Sequence, residues 1–256
     1  MTGEYQAKPP PLGPAALIAI RLVNAVGKPV GINPFSRAFP NDVTTGLGRR
    51  SAVFDQIYRS NFWASAESRS GIGSESAVGA AYRRRLRACL AELGARRFFD
   101  APCGDLNWML PLARDPAIDY LGADISSELL ADTRRRYPDI ALMQLDICDD
   151  PFPTADIWHC RDCLFHLPFT DIKRALRNFV RSEIPFCLLT SHRARLHQNI
   201  DVPAGGFRYL DLERPPIDLP RARQYLKDYR IGRDFPRYVG LWHRQQIVEA
   251  SNRWDD

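Results

Sequence analysis

Arg97-Phe98-Phe99-Asp100-Ala101-Pro102-Cys103-Gly104-Asp105 is the stretch of the 256-residue chain that decides its fold. Its first half is short and apolar, and its second half is a proline- and glycine-containing turn that ends on an acidic residue. This order is typical of a buried parallel strand that runs into a tight turn and then a helix.

Short apolar segments then alternate with helical patterns along most of the chain. Strands are predicted at 97–101, 120–124, 140–145, 155–160 and 185–190, with a closing edge strand at 238–242, and helices at 80–93, 126–137 and 171–181. Gly94 is a standard residue for ending the first helix. The alternation predicts an α/β fold, with a mostly parallel sheet and helices on both faces.

The chain before this alternation has a different composition. Residues 1–75 are irregular and rich in Gly, Pro and Ser, and we expect an N-terminal extension and cap that precede a core at 76–256. Residues 54–58 are predicted to form a helical turn. Residues 12–26 fit a short amphipathic helix that packs on the core or attaches to a membrane surface, and they are too short to span one.

Composition favours a folded protein with a small basic excess. Hydrophobic residues are 45% and charged residues 25%, and the net charge is +5. The runs Arg83–Arg85 and Arg134–Arg136 fall in predicted helices, where a solvated surface is the better interpretation, so we expect no nucleic-acid partner. Oligomeric state cannot be predicted.

Six cysteines in a chain of this size favour reduced thiols and a cytoplasmic location. Cys160 and Cys163, flanked by His159 and His166, have spacing that could suggest a metal site. Because side chains alternate in direction along a strand, these four cannot all converge on one ion, and we expect no metal there.

Acidic residues end three successive predicted strands, at Asp100, Asp124 and Asp146. In an open α/β sheet, ligands bind at the carboxyl ends of the strands. Asp124 lies 20 residues beyond Gly104 and can accept hydrogen bonds from two ribose hydroxyls. Gly104, without a Cβ, permits a close approach to the ligand.

The other residues near these strand ends suit a nucleoside joined to an amino acid. Asp146 can accept from an adenine amino group, with Leu145 or Ile147 against the ring. Asp100 and Asp105 can accept from an amino group of the ligand. Trp108 could lie against a cationic sulfonium.

Four segments resemble the motifs of class I, S-adenosylmethionine (SAM)-dependent methyltransferases: 99–105, 122–126, 144–147 and 156–167. The resemblance covers residues 95–192 and implies a Rossmann-like, seven-stranded sheet with SAM as the cofactor. It adds Cys103, Ile125 and Arg161 to the expected cofactor-binding residues. The family's usual turn has glycine at positions 102, 104 and 106, whereas this chain keeps only the middle one.

A further segment, comprising Trp63, the run 67–71 and Gly73-Ser74, resembles a subset of uncharacterised bacterial methyltransferases. This resemblance implies that Arg69 pairs with the cofactor carboxylate. The subset is associated with surface-sugar pathways, which favours a glycan or another small molecule as the methyl acceptor.

Catalysis requires alignment of the acceptor and, for an oxygen acceptor, removal of a proton. His166, just after the fourth strand, is the first candidate base, although a structural role in capping the next helix or turn is the favoured alternative. Asp162 is the second candidate, with lining of the cofactor site as its alternative role. A polar loop after the fifth strand could bind the acceptor or be a solvated surface: its candidates are His192, Arg195, Asn199, Asp201, Arg208 and Asp211.

The sequence therefore predicts a methyltransferase that acts on an oxygen or nitrogen of a small molecule or glycan. Two alternatives stay open, a nucleic-acid or protein methyltransferase and a non-catalytic SAM-binding module. A nicotinamide-dependent oxidoreductase fits less well, because the turn at 102–106 lacks the glycines that seat a pyrophosphate on a helix end.

Overall fold

The fold is described by a computed structural model that covers residues 48–193, 198–230 and 235–254. The helix predicted at 12–26 and the candidate acceptor residue Arg195 lie outside these ranges. No helix in the described part of the chain is both long and apolar enough to cross a membrane.

A seven-stranded sheet forms the centre of the molecule. Its strands are β1 (Arg97–Asp100), β2 (Asp119–Asp124), β3 (Leu142–Gln144), β4 (Ile157–Cys160), β5 (Phe186–His192), β6 (Gln224–Lys227) and β7 (Arg237–His243). The spatial order is β3-β2-β1-β4-β5-β7-β6. All neighbouring strands are parallel except for β7, which is antiparallel to both β5 and β6. The predicted seven-stranded, mostly parallel sheet is confirmed.

Helices cover both faces of the sheet. They are α1 (Arg50–Ser60), α2 (Ser76–Leu93), α3 (Leu110–Ala113), α4 (Ser127–Arg136), α5 (Phe169–Arg181) and α6 (Arg244–Ser251). Short 3₁₀ turns lie at Ile72–Ser74 and Leu164–His166. Alternation along β1 separates the two cores, because Phe98 packs with α2 and α4 whereas Phe99 packs with α5 and α6.

Local signals explain several helix ends. The Ser126 hydroxyl accepts a hydrogen bond from the amide of Leu129 and caps α4. Gly94 ends α2 with a φ of 66°, a left-handed conformation that glycine adopts without strain. His243 and Gln246 form a capping box at the start of α6.

Three sequence predictions need correction. The strand predicted at 238–242 as the edge of the sheet is β7, which lies between β5 and β6, so β6 is the edge. The helix expected after the first turn is only the single turn of α3. The turn predicted at 54–58 belongs to the 11-residue helix α1. Neither β6 nor α6 was predicted, because both are short and carry few apolar residues in a regular pattern.

Candidate functional site

A cavity lies at the carboxyl ends of β1, β2 and β4, where the strand order reverses. Part of its wall comes from described residues 48–75, which we call the cap. The predicted site residues that line the cavity are Arg69, Asp100, Cys103, Gly104, Trp108, Asp124, Ile125, Asp146, Ile147, Arg161 and Asp162. Those that do not line it are Asp105, His166, His192, Asn199, Asp201 and Arg208.

Asp124, the last residue of β2, has its carboxylate fixed by two backbone amides. Oδ2 accepts from the Gly104 amide at 3.1 Å, and Oδ1 accepts from the Ser126 amide at 3.0 Å. Burial raises the pKa of this carboxyl group to about 6. At neutral pH the cavity therefore holds an oriented carboxylate that can accept hydrogen bonds from a ligand.

Gly104 has a local task in addition to the one predicted. Its φ is 59°, and a Cβ built on it would lie 2.7 Å from Oγ of Ser70. The same Ser70 oxygen accepts from the Asp105 amide at 3.1 Å. The missing side chain thus makes room for the cap, although Gly104 also lines the cavity.

Asp100 belongs to a buried polar network at the end of β1. Its Oδ2 accepts from the Tyr120 hydroxyl at 2.7 Å, and its Oδ1 lies 2.6 Å from Nδ1 of His159. The other imidazole nitrogen lies 3.0 Å from the Tyr82 hydroxyl. Burial raises the pKa of Tyr120 well above 10, so the phenol stays protonated and donates. Both Asp100 oxygens are already engaged by protein groups.

Asp105 attaches the cap to the turn after β1. The Ser68 hydroxyl lies 2.9 Å from both carboxylate oxygens, and the Arg69 amide donates to Oδ2 at 3.1 Å. Asp105 is 4% exposed and faces the cap. Arg69, held beside it, lines the cavity with its guanidinium over the Tyr58 ring at 5.3 Å.

Arg161, the residue after β4, forms a bidentate pair with Asp228, with distances of 2.8 and 3.0 Å. Its guanidinium lies 4.4 Å from the ring centroid of Trp108 and 5.1 Å from that of Tyr229. Both partners of the ion pair are buried. The Trp108 face that was predicted to meet a sulfonium therefore carries a guanidinium.

Asp146 is shared between its own turn and the cap. Oδ1 accepts from the Cys148 amide at 2.9 Å, and Oδ2 accepts from Arg50 Nη2 at 2.7 Å. Arg50, the first residue of α1, also reaches Asp171 at 3.0 Å. The first residue of α1 is therefore bonded across the side of the cavity where the adenine ring is predicted to bind.

The rest of α1 is attached to α4. The Tyr58 hydroxyl donates to Asp132 at 2.8 Å, and the Ser126 hydroxyl donates to Asp55 at 2.6 Å. Together with the Arg50 contacts, these bonds hold the helix over the cavity along its length.

His166 lies behind the cavity wall. Its ring centroid is 5.1 Å from that of Trp63, which lines the cavity. Nδ1 lies 2.6 Å from the carbonyl oxygen of Gly206, and because a carbonyl only accepts, Nδ1 carries the proton and Nε2 has the lone pair. Burial lowers the pKa of His166 to about 4, so the imidazole is neutral at neutral pH.

The loop after β5 separates the predicted acceptor residues into two groups. The Asn199 amide bonds the backbone of Asp211 and Pro215, and Asp201 accepts from the Phe169 amide at the start of α5. These two side chains hold the loop together. His192 and Arg208 are instead buried next to Phe165 and Phe169 respectively.

Arg208 is the least satisfied side chain of that loop. Nη1 donates to the Leu167 carbonyl at 2.7 Å, whereas Nε and Nη2 are buried and have no hydrogen-bond partner in the described ranges of the chain. Burial lowers the pKa of this guanidinium to about 10.

Sequence reasoning missed several residues at the site. Tyr229 and Arg237 contact Asp162, Arg50 contacts Asp146, and Tyr82 reaches His159. Each is far along the chain from its partner, so spacing gave no signal. Trp63, Ser70 and Ser74, which also line the cavity, lie in the segment that was found through the resemblance.

A known protein family matches the central part of the chain. Residues 98–183 match the family described as "Methyltransferase domain". No curated protein matches the chain.

Two solved structures illustrate the similarity. The methyltransferase domain of bacterial CtHen1 is 15% identical, with 65% of this chain and 99% of that chain covered and a TM-score of 0.49. Magnesium protoporphyrin IX methyltransferase from Synechocystis PCC 6803, with bound S-adenosylhomocysteine (SAH), is 13% identical over 76% of this chain and 95% of that chain, with a TM-score of 0.49.

The matched domain coincides with the part of the sheet that forms the cavity. The matched residues run from β1 to the end of α5 and contain the strand ends that carry Asp100, Asp124 and Asp146. The chain therefore carries a methyltransferase domain, and it is an enzyme that uses SAM as its cofactor.

Proposed function

We propose that the protein transfers a methyl group from SAM to an oxygen or nitrogen atom of a small molecule or glycan. The cap supports this choice of acceptor, because it crosses the cavity and forms hydrogen bonds on both sides of it. Arg50 bonds Asp146 and Asp171, and Ser68 bonds Asp105. A cavity bounded by the cap in this way suits a small acceptor or a sugar terminus better than a folded macromolecule.

The donor set of the cavity fits SAM. Asp124 would bind the ribose hydroxyls, because its oriented carboxylate lines the cavity next to Gly104. Ile125 and Ile147 would pack on the adenine ring, with Asp146 at its amino group. Cys103 would contribute to the same wall, and its thiol stays protonated because burial raises its pKa.

The amino-acid end of SAM would meet two arginines. Arg69 and Arg161 both line the cavity and would attract the carboxylate. Asp100 would act on the amino group through its charge or through water, because His159 and Tyr120 already occupy its oxygens. Asp105 would act indirectly, by fixing the segment that presents Arg69.

His166 and Asp162 are the proposed acceptor-side catalytic residues. The His166 tautomer leaves a lone pair on Nε2 that could take a proton from a hydroxyl acceptor, after movement of Trp63. A pKa of about 4 makes it a weak base, which favours acceptors that are acidic or that need no early deprotonation. His192 and Arg208 would support the acceptor, whereas Asn199 and Asp201 would hold the loop.

We also propose that residues 1–75 comprise an N-terminal extension and the cap, and that residues 76–256 form the methyltransferase domain. All six cysteines are free thiols, which supports a reducing, cytoplasmic location.

An acceptor screen tests the function. The full chain and SAM are incubated with a panel of sugars, nucleotide sugars, phenols and amines, and with RNA and a basic protein, while SAH release is measured. We expect turnover with a small molecule or sugar, reduced in His166→Asn and unchanged in His243→Asn, where asparagine can still cap α6. Turnover only with RNA or protein would contradict the proposal.

A further inference from the structure

Asp162 leaves β4 in an unusual conformation. Its φ is 54°, a left-handed value that aspartate tolerates better than most residues. Its amide donates to the Thr190 hydroxyl at 2.9 Å, which fixes the backbone. The side chain lines the cavity from this constrained position.

The two carboxylate oxygens of Asp162 have unlike surroundings. Oδ2 accepts from the Tyr229 hydroxyl at 2.7 Å and from Arg237 Nη1 at 3.2 Å. Oδ1 is buried, and among the residues that the structure describes none donates a hydrogen bond to it. A buried acceptor without a partner is unfavourable unless a ligand completes it.

The cap closes over the occupied oxygen. A Cβ built on Gly73 would lie 2.6 Å from Asp162 Oδ2 and 2.7 Å from Cζ of Tyr229. Only glycine lets the cap backbone pack directly on the Tyr229–Asp162 hydrogen bond. This contact covers Oδ2, so Oδ1 is the carboxylate oxygen that remains without a protein donor among the described residues.

Tyr229 and Arg237 are themselves held in place. The Arg237 guanidinium lies 4.3 Å from the Tyr229 ring centroid and 5.2 Å from that of Phe165. The Tyr229 amide donates to Asp228 at 2.8 Å, and Asp228 is fixed by its buried pair with Arg161. The two donors therefore meet Asp162 from a rigid surface.

These contacts also set the charge of Asp162. Burial alone would favour the neutral acid, but Arg237 and Arg161 outweigh it and hold the pKa of Asp162 below its usual value. His192 and His166 would act in the same direction when protonated, but His166, with a pKa of about 4, is neutral at neutral pH. The neighbouring Asp228 is held by Arg161, and Tyr229 donates its hydrogen to Asp162. At neutral pH the free oxygen belongs to a carboxylate.

We propose that Tyr229 and Arg237 are positioning residues that orient Asp162 so that its free Oδ1 receives a hydrogen from the acceptor's reacting amine or hydroxyl group. The inference rests on the proposed function and names residues that would act on the acceptor through Asp162. Their loss would leave the nucleoside side of the cavity intact, because Asp124 and Asp146 have separate partners.

The experiment uses sinefungin, the SAM analogue in which an amino group stands in place of the sulfonium methyl. Its ammonium group offers hydrogens on the acceptor side without any acceptor being known. Calorimetry of the full chain gives the ratio of the SAH and sinefungin dissociation constants for wild type, Asp162→Asn, Tyr229→Phe and Arg237→Met. Tyr225→Phe is the matched control, since its hydroxyl bonds a different carboxylate, Glu213.

We expect wild type to favour sinefungin about tenfold, the value of a charged hydrogen bond. Asp162→Asn should abolish the preference. Tyr229→Phe and Arg237→Met should keep SAH affinity but reduce the preference for sinefungin several-fold. Because Asp162 loses a donor that stabilises its charged form, its pKa should rise, and the preference for sinefungin should be lost at a higher pH than in wild type. Tyr225→Phe should match wild type.

A wild-type chain without this preference, or a preference with an unchanged pH profile in Tyr229→Phe, would overturn the proposal. Tyr229→Phe keeps the test valid if Arg237→Met fails to fold. A different result would refute the proposed function: an acceptor screen that shows no turnover of small molecules, although SAH and sinefungin still bind.

Discussion

Replacing Asp124 by asparagine should weaken SAM binding about 10- to 150-fold. In the structure the carboxylate is 7% exposed and is oriented by the amides of Gly104 and Ser126. A hydrogen bond to a charged group contributes about 1.5 to 3 kcal/mol, and each 1.4 kcal/mol changes a dissociation constant about tenfold. Asparagine keeps the shape but removes the charge and one acceptor.

Unfolding should not explain the loss. Burial raises the pKa of Asp124 in the folded state, so its contribution to stability is present at low pH and is lost as the pH rises toward 6. At neutral pH the buried charge therefore costs stability, and the neutral variant should melt no lower than wild type without ligand. Asp139→Asn, which alters an exposed pair with Arg114, is the control for a generic loss of charge.

The assay is calorimetric titration with SAM from pH 5 to pH 8. Wild-type affinity should fall by up to about tenfold per pH unit below pH 6, because the protonated acid accepts poorly from the ribose hydroxyls. Asp124→Asn should show no such dependence. Wild-type affinity in Asp124→Asn, or the same pH dependence in both proteins, would refute the ribose assignment.

Gly73→Ala should lower the melting temperature by about 2 to 12 °C, because its Cβ would lie 2.6 Å from Asp162 Oδ2. Gly48→Ala, whose new carbon has no atom of the described residues within 4 Å, should match wild type, and equal melting of the two variants would contradict the packing argument. Arg161→Met should lower melting by about 6 to 20 °C, since it leaves buried Asp228 unpaired. Arg208→Met should melt at or above the wild-type temperature, because it removes two buried guanidinium nitrogens that have no hydrogen-bond partner among the described residues. In calorimetric scans, wild-type melting of Arg161→Met or a lower melting temperature of Arg208→Met would contradict these two statements. Arg50→Met should speed SAM dissociation several-fold in stopped-flow fluorescence, as the cap loses its bonds to Asp146 and Asp171, and an unchanged rate would show that α1 does not retain the cofactor.

The sheet could be predicted because its strands carry local signals. The apolar run at 97–101, its turn and the later repeats of that layout identify β1, β2, β4 and β5 closely. The short strand β6 could not be found, since Gln224–Lys227 has one buried residue and is specified by pairing with β7.

The cavity was predicted more completely than the acceptor side. Asp100, Asp124 and Asp146 follow strands, so topology alone brings them together. The partners of Asp162 come from the segment after β6 and the start of β7, and their approach depends on how the late strands return across the sheet. Likewise, the cap contacts of Asp105 depend on a tertiary arrangement that no local pattern specifies.

Calorimetric titration of the full chain with SAM, SAH and NAD tests the central claim most directly. We predict binding of SAM and SAH with dissociation constants in the micromolar range and no binding of NAD, because the turn after β1 is occupied by the cap and lacks a glycine-rich phosphate seat. Binding of NAD without binding of SAM would contradict the account.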